Sequence, residues 1–366
     1  MLMVKEKLKV GILGATGIVG QTYIKLLEDH PYFDVIDVAA SPRSAGKTFN
    51  EAVANKWHMS TKIPTNVSSL KVRDTNQIES IHPNVKLVFS AVNLPIKEEI
   101  KKLEFDYARK GIPVVSNNSA HRWTNDVPMI IPEINHEHLN VITFQQKNRG
   151  FNKGFVVVKP NCSVQSYMTP LFALEQKGFI VEKVIVTTLQ AVSGAGYPGV
   201  ASLDIIDNIV PFIAGEEEKS EKEPLKVLGT ISEGGITNRD SLLISATCTR
   251  VSVTDGHTAA VYLKFKDRIP TKDEILEIWA SFRGPPQELN LPLAPKQPII
   301  YLSDNDRPQP VKDRDLDKGM AVTVGRLRED PIFDYKFVAL SHNTIRGAAG
   351  GAILIGELLH QKGYFD

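Results

Sequence analysis

Leu8-Lys9-Val10-Gly11-Ile12-Leu13-Gly14-Ala15-Thr16-Gly17-Ile18-Val19-Gly20-Gln21-Thr22-Tyr23-Ile24-Lys25-Leu26-Leu27-Glu28 is the stretch whose reading decides the fold. Its first six residues form a short apolar strand, and the stretch from Gln21 has the composition of a helix. Between them Gly14, Gly17 and Gly20 recur every third position. Glycines there let the backbone turn tightly and bring helix N-terminal amides against a pyrophosphate. The glycine-turn residues Gly14, Thr16, Gly17, Ile18 and Val19 are therefore candidate cofactor contacts. The strand and helix flanks separate this pattern from an ordinary βα turn.

Reading outward, the next strand is Phe33 to Ala40, followed by Ser41-Pro42-Arg43-Ser44-Ala45-Gly46-Lys47. An NAD site places a carboxylate near this strand end, roughly 20 residues beyond the glycines. Here the end carries two hydroxyls, an arginine and a lysine, which suits a 2′-phosphate. Ser41, Arg43 and Ser44 thus select NADP, and Asp37, inside the strand, is the objection. Leu87-Val88-Phe89-Ser90-Ala91 reads as a further strand leading into Val92-Asn93-Leu94-Pro95, a cofactor-facing loop that adds Ser90 and Asn93. A helix over 97–110 and a strand over 112–115 follow. Arg122 lies beyond that strand, as a phosphate or carboxylate ligand or as a plain surface arginine. Pro132 to Asn135 reads as an exit loop, His136 and His138 as solvated helix-start residues rather than a metal pair, and Gln145 to Gly154 as a surface loop.

The run Phe155-Val156-Val157-Val158 ends at Lys159-Pro160-Asn161-Cys162-Ser163. A cysteine at a strand's carboxyl end, with helix-like sequence behind it, stands where open α/β sheets bind ligands and where a helix dipole favours thiolate. From Cys162 on, longer strands succeed one another with fewer helices, so the second half is expected to be α+β with a mostly antiparallel sheet. They run over 184–190, 242–253, 259–266, 321–326 and 336–341. Alternation places Arg250, Ser252 and Thr254 on one strand face. His257 follows a glycine turn and can exchange protons near neutral pH, and an arginine fork can grip a carboxylate. Gly215 to Glu223 is a mixed charge run, read as a solvated helix face or as the source of a lysine that reaches a substrate anion. Small residues at 347–352 open an apolar helix expected to return to the first domain.

Bulk properties fit two domains. The chain has 366 residues, 42% hydrophobic, a formal net charge of +1 and two cysteines. This gives no basic face for nucleic acid and no disulfide framework. Residues 1–7 have no apolar segment behind their charges and no stretch reaches membrane length, so the cytoplasm is the expected compartment.

Taken together, Gly14 to Gly20, Ser41-Pro42-Arg43-Ser44, Pro160-Asn161-Cys162-Ser163, Leu189 to Gly196, Gly215 to Lys219, Arg250 to His257 and Ser341-His342-Asn343-Thr344 resemble the aspartate-β-semialdehyde dehydrogenases, particularly their archaeal and fungal branch. The resemblance implies a Rossmann-type NADP-binding domain over 1–161, completed by 342–366. It implies a catalytic and dimerisation domain over 162–341, in homodimers or homotetramers. It makes Cys162 the nucleophile, His257 the acid/base and Gln190 the residue that orients the acyl group. Arg250 and Glu216 would hold the substrate's carboxylate and amino group, while Arg122, Lys219 and Asn161 would surround phosphate. Glu221-Lys222 offers the same chemistry as Glu216/Lys219 one turn on. Ser193, Gly194 and Asn343 would approach the cofactor, and no metal is implied. The substrate would be β-aspartyl phosphate. An acyl-CoA substrate such as malonyl-CoA on the same scaffold, or a non-catalytic NADP-binding regulator, are the competing readings.

Overall fold

A computed structural model describes residues 6–366. The N-terminal stretch read for targeting lies mostly outside the described residues. The first sheet contains β1 (Leu8–Leu13), β2 (Phe33–Ala40), β3 (Val72–Asp74), β4 (Leu87–Ser90), β5 (Val114–Ser116) and β6 (Val156–Val158). All are parallel, in the order β3-β2-β1-β4-β5-β6. Both faces of this sheet are covered, so its strands read as unbroken apolar runs such as the fully buried Val156-Val157-Val158. The order in which successive strands are added reverses between β1 and β4, and the crevice of such a sheet opens at the carboxyl ends of those two strands. The glycine turn follows β1 and the Ala91–Asn93 loop follows β4.

The second sheet is built from β7 (Val181–Gln190), β10 (Leu243–Arg250), β11 (His257–Phe265), β12 (Ile299–Leu302), β13 (Val322–Glu329) and β14 (Tyr335–Ser341), in the order β10-β7-β11-β14-β13-β12. A separate hairpin joins β8 (Thr230–Ser232) to β9 (Gly235–Thr237). Three of the five pairings in the large sheet are antiparallel, and the two outermost are parallel. Its register gathers chemistry at one end: Arg250 pairs with Gln190, Thr258 with Leu189, and His257 with Ser341. Strand β7 alternates, with Val184, Val186, Thr188 and Gln190 buried while Lys183, Ile185 and Leu189 face outward. That period of two is what lets a glutamine share the inner face with valines.

The C-terminal helix Gly350–Gln361 packs on the first sheet, as its sequence suggests. Ile353, Leu354, Ile355, Leu358 and Leu359 are buried among Phe33, Phe89 and Val157, each contributing about 1.5–3 kcal/mol of apolar burial. Gly356 is needed for that approach, because a Cβ there would stand 2.9 Å from the Phe89 ring.

Several expectations are corrected. Val141–Arg149 is a helix, not a surface loop, and Gln145 is buried with its amide on Asp126 O and Val156 O. Pro132–Asn135 is a short helix. His138 is buried, held by Asn135 Nδ2 and Gly229 O, so it is no solvated helix start. β10 ends at Arg250, leaving Ser252 and Thr254 beyond the strand and off its face. No helix among the described residues is long and apolar enough to cross a membrane.

Candidate active site

Cys162 lies four residues beyond β6, and Gly256, at φ +103°, turns the chain so that His257 opens β11. Cys162 Sγ and His257 Nε2 are 3.3 Å apart, a contact made by residues 95 positions apart in sequence. The Ala191 N–H donates to His257 Nδ1 at 3.1 Å. A neutral imidazole accepts at one nitrogen and donates at the other, so this bond puts the ring proton on Nε2, facing the sulfur. Burial, then the neighbouring Arg250 charge, pushes the His257 pKa down to about 3.

The helix dipole expected to favour the thiolate is not in place. A short 3₁₀ turn, Val164–Ser166, intervenes before the helix Met168–Gln176 begins. Burial, followed by the Glu216 charge, raises the thiol pKa; Lys159, Arg122 and Lys219 oppose this, in that order.

Glu216 ties the inner wall together. It accepts from Asn161 Nδ2 (3.1 Å) and Lys219 Nζ (2.6 Å) on Oε1, and from Gln190 Nε2 (3.3 Å) on Oε2. In the helix Glu216–Val227, residues 216, 220 and 223 are buried on one face, and Lys222 points outward to Glu218. Glu216/Lys219 is therefore the pair that reaches Asn161, the residue before Cys162. Arg250 Nη1 donates to Ala191 O (2.8 Å), and no carboxylate pairs with this buried guanidinium among the described residues. Arg122 is no surface arginine. Its donors reach Glu223, Lys159 O and Asn117 O, leaving two of its five N–H groups.

Two clefts of about 220 Å³ each flank the first turn of the helix Ile18–Leu26. One is lined by Gly14, Thr16, Gly17, Ser41 and Asn93. The other joins Ile18 and Val19 to Cys162, Ser193, Gly194 and Asn343. A larger hollow of about 550 Å³, bordered by Glu79, Lys110 and Tyr364, gathers none of these residues.

The glycine turn fits a dinucleotide. A Cβ on Gly14 would lie 2.5 Å from Ala91 O, and one on Gly20 would lie 2.3 Å from Gly14 O. The amides of Ile18 and Val19 open the helix, where no intrahelical acceptor exists. At the end of β2, Arg43 is exposed and carries no ion pair among the described residues. Asp37 is not available to a ribose, because Arg73 holds it through both oxygens at 2.8 and 3.2 Å. Asn343 bridges Ser193 Oγ and Gly256 N–H, both at 2.8 Å. Ser90, expected at the cofactor, is fully buried with its hydroxyl 2.7 Å from Glu104 Oε1, so it supports the loop from beneath.

Residues 9–142 match the semialdehyde dehydrogenase NAD binding domain, and residues 171–346 match the semialdehyde dehydrogenase dimerisation domain. An aspartate-semialdehyde dehydrogenase of Methanothermobacter thermautotrophicus is 46% identical over 354 residues, covering 96% of this chain and 99% of that one. The chain belongs to the aspartate-semialdehyde dehydrogenase family. The Aspergillus fumigatus relative is 44% identical, with 98% of each chain covered. The crystal structure of aspartate semialdehyde dehydrogenase with NADP from Candida albicans superposes with a TM-score of 0.89 at 37% identity, covering 98% of this chain and 100% of that chain.

Two residues beside Cys162 passed unremarked in the sequence. Glu223 accepts the Asn161 N–H and the Arg122 guanidinium, fixing the loop that carries the nucleophile. The 216/220/223 spacing was the available signal, since it describes one helix stripe. Lys159, between a buried strand and Pro160, is itself buried. A lysine at the end of an all-apolar strand was its mark.

Proposed function

We propose that this chain catalyses the NADPH-dependent reductive dephosphorylation of β-aspartyl phosphate to aspartate β-semialdehyde, and the phosphorylating oxidation in reverse. The observation that carries the reading is the 3.3 Å Cys162–His257 contact at a cleft shared with Ile18 and Val19. Cys162 sulfur attacks the acyl carbon and phosphate departs, leaving a thioester on the chain; sulfur suits both attack and later departure. Bound NADPH supplies hydride to the thioester carbon. His257, whose Nε2 faces the sulfur, takes up the thiol proton as the sulfur attacks and, as imidazolium, gives it to the oxygen of that carbon; the neutral ring takes it back in the oxidative direction. Gln190 orients the acyl group, Arg250 offers its unpaired guanidinium to the α-carboxylate, and Glu216 meets the amino group. The two free N–H groups of Arg122, with Lys219 and Asn161, receive the phosphate.

The NADP-binding unit is assigned to residues 1–161 with 342–366, and the catalytic and dimerisation unit to 162–341. Exposed apolar side chains Leu203, Ile206, Ile209, Phe212 and Leu243, together with Ile185 and Leu189 on the outward face of β7, are offered as a surface for a second copy in a homodimer or homotetramer. Two unpaired thiols suit the cytoplasm. The deciding assay is phosphate-dependent NADP reduction with aspartate semialdehyde, run beside NADPH oxidation with malonyl-CoA. Turnover with malonyl-CoA alone moves the assignment to an acyl-CoA substrate, and turnover with neither refutes it.

A further inference from the structure

We propose that Glu223 is a positioning residue that keeps phosphate exchangeable: it sets a counter-charge on Arg122 while anchoring the peptide before Cys162. This rests on the catalytic reading above, which seats phosphate at Arg122, and adds a residue that acts through that arginine.

The contacts carry the assignment. Glu223 is fully buried in the helix Glu216–Val227, and its two oxygens are divided between two donors. Oε1 accepts from Arg122 Nη1 at 2.8 Å, and Oε2 accepts the Asn161 backbone N–H. Both partners donate, so a carboxylate satisfies both and an amide only one. The same helix face reaches the nucleophile's neighbours twice more, from Glu216 to Asn161 Nδ2 and from Ser220 Oγ to Ser163 Oγ at 3.2 Å. Asn161 Oδ1 accepts the Ser163 N–H at 2.8 Å. Cys162 is thus carried between two residues pinned to one helix.

Arg122 does not need Glu223 to be aimed. Its Nε donates to Lys159 O at 3.0 Å and its Nη2 to Asn117 O at 3.1 Å, and two carbonyls already fix the plane of a guanidinium. What the carboxylate alone adds at this arginine is negative charge. Buried, that charge is poorly screened, and it opposes any anion approaching the two free N–H groups. Lys219, the other cation assigned to phosphate, is balanced in the same way by Glu216 at 2.6 Å. Without their carboxylates, Arg122 and Lys219 would present two uncompensated cations to a phosphate dianion and hold it tightly. The reaction needs the reverse, because phosphate leaves this seat in one direction and enters it in the other.

The test measures binding of inorganic phosphate to the NADP complex by isothermal titration calorimetry, beside KM for phosphate and for NADP in the oxidative assay. E223Q is expected to bind phosphate at least about tenfold more tightly than wild type, with KM for phosphate falling in step and KM for NADP within about twofold. Phosphate affinity unchanged or weakened in E223Q overturns the proposal, because a purely structural loss gives that result. E133Q breaks another buried arginine pair, Glu133–Arg346, which does not line this cleft. It should lower the thermal midpoint without tightening phosphate, and an equal gain in affinity there also overturns the proposal. R122Q/E223Q is run beside R122Q, since removing both partners leaves no unpaired buried charge if E223Q alone fails to fold. The double variant should bind phosphate at least about tenfold more tightly than R122Q, in which Glu223 stands unopposed, and equal affinities overturn the counter-charge. A wild type that binds no phosphate and reduces no NADP with aspartate semialdehyde refutes the catalytic reading itself, a result separable from all of these.

Discussion

Replacing Gly194 by alanine tests how tightly the site is built. Gly194 is not among the positive-φ glycines, so alanine suits its backbone and the perturbation is purely one of space. The added Cβ would lie 2.8 Å from Arg250 Nη1, 3.0 Å from His257 Cε1 and 3.1 Å from His257 Nε2. Relaxed contacts between carbon atoms begin near 3.5 Å, so imidazole and guanidinium must each recede by about 0.5 Å. Neither can do so freely, because His257 Nδ1 and Arg250 Nη1 are bonded to the two faces of the same residue, Ala191. A misplacement of about 1 Å costs on the order of 100-fold in rate. Half that displacement, applied to two groups, predicts a fall in kcat/KM of about 10- to 100-fold, or about 1.4–2.7 kcal/mol of transition-state stabilisation. The assay is NADP reduction with aspartate semialdehyde and phosphate, with NADP affinity and thermal midpoint measured alongside. Activity within twofold of wild type would refute the reasoning, as would a collapse of the midpoint large enough to explain the loss.

Cys162→Ala should abolish turnover while leaving NADP binding intact by fluorescence titration; residual turnover would remove the thioester route. Arg43→Ala should raise KM for NADP far more than for NAD, since Asp37 is locked on Arg73, and equal effects would sink the 2′-phosphate assignment. Gly20→Ala should weaken NADPH binding at least about tenfold and lower the thermal midpoint, because its Cβ meets backbone at 2.3 Å that cannot move alone; binding within twofold of wild type would count against the glycine cradle. Glu104 is buried under the cofactor loop, and burial raises its pKa to about 7. The folded state therefore holds a proton that the unfolded chain releases above about pH 4.5, and this contribution to stability is lost as pH rises towards 7. Relative to wild type, Glu104→Gln should gain up to about 3 kcal/mol between pH 4.5 and 8 in urea melts, and a constant difference would exclude the titration.

The first sheet was legible because its signals are local. The glycine turn, apolar strands and intervening helix carry their own periodicities, and the strand ends at Leu13 and Ala40 were read at their observed positions. Cys162 and Gln190 were legible at strand ends and His257 just past a glycine turn, although it is the pairing of β7 with β10 and β11 that gathers Gln190, Arg250 and His257 at one end of the second sheet. The hydrogen bonds that set their chemistry were not legible. That His257 receives an N–H from Ala191, or that Asn161 leans on Glu223, depends on contacts between residues 66 and 62 positions apart. Gln145 was taken for a loop residue because its polar neighbourhood has no apolar period; its burial is satisfied by backbone atoms of Asp126 and Val156 instead. The polar Ser90 looked like a ligand contact, and nothing local announced that Glu104 lies beneath it.

The wall against which Cys162 packs comes from Gly347, so the nucleophile's surroundings are finished by a segment synthesised long after the nucleophile itself. While residues 342–361 are still inside the ribosome, the strand bearing the thiol is already outside. During that interval the sulfur lacks the packed neighbour that Gly347 supplies. Chains arrested before residue 342 should therefore show Cys162 alkylated at the rate of an unstructured cysteine, and a faster rate would mean the site matures earlier.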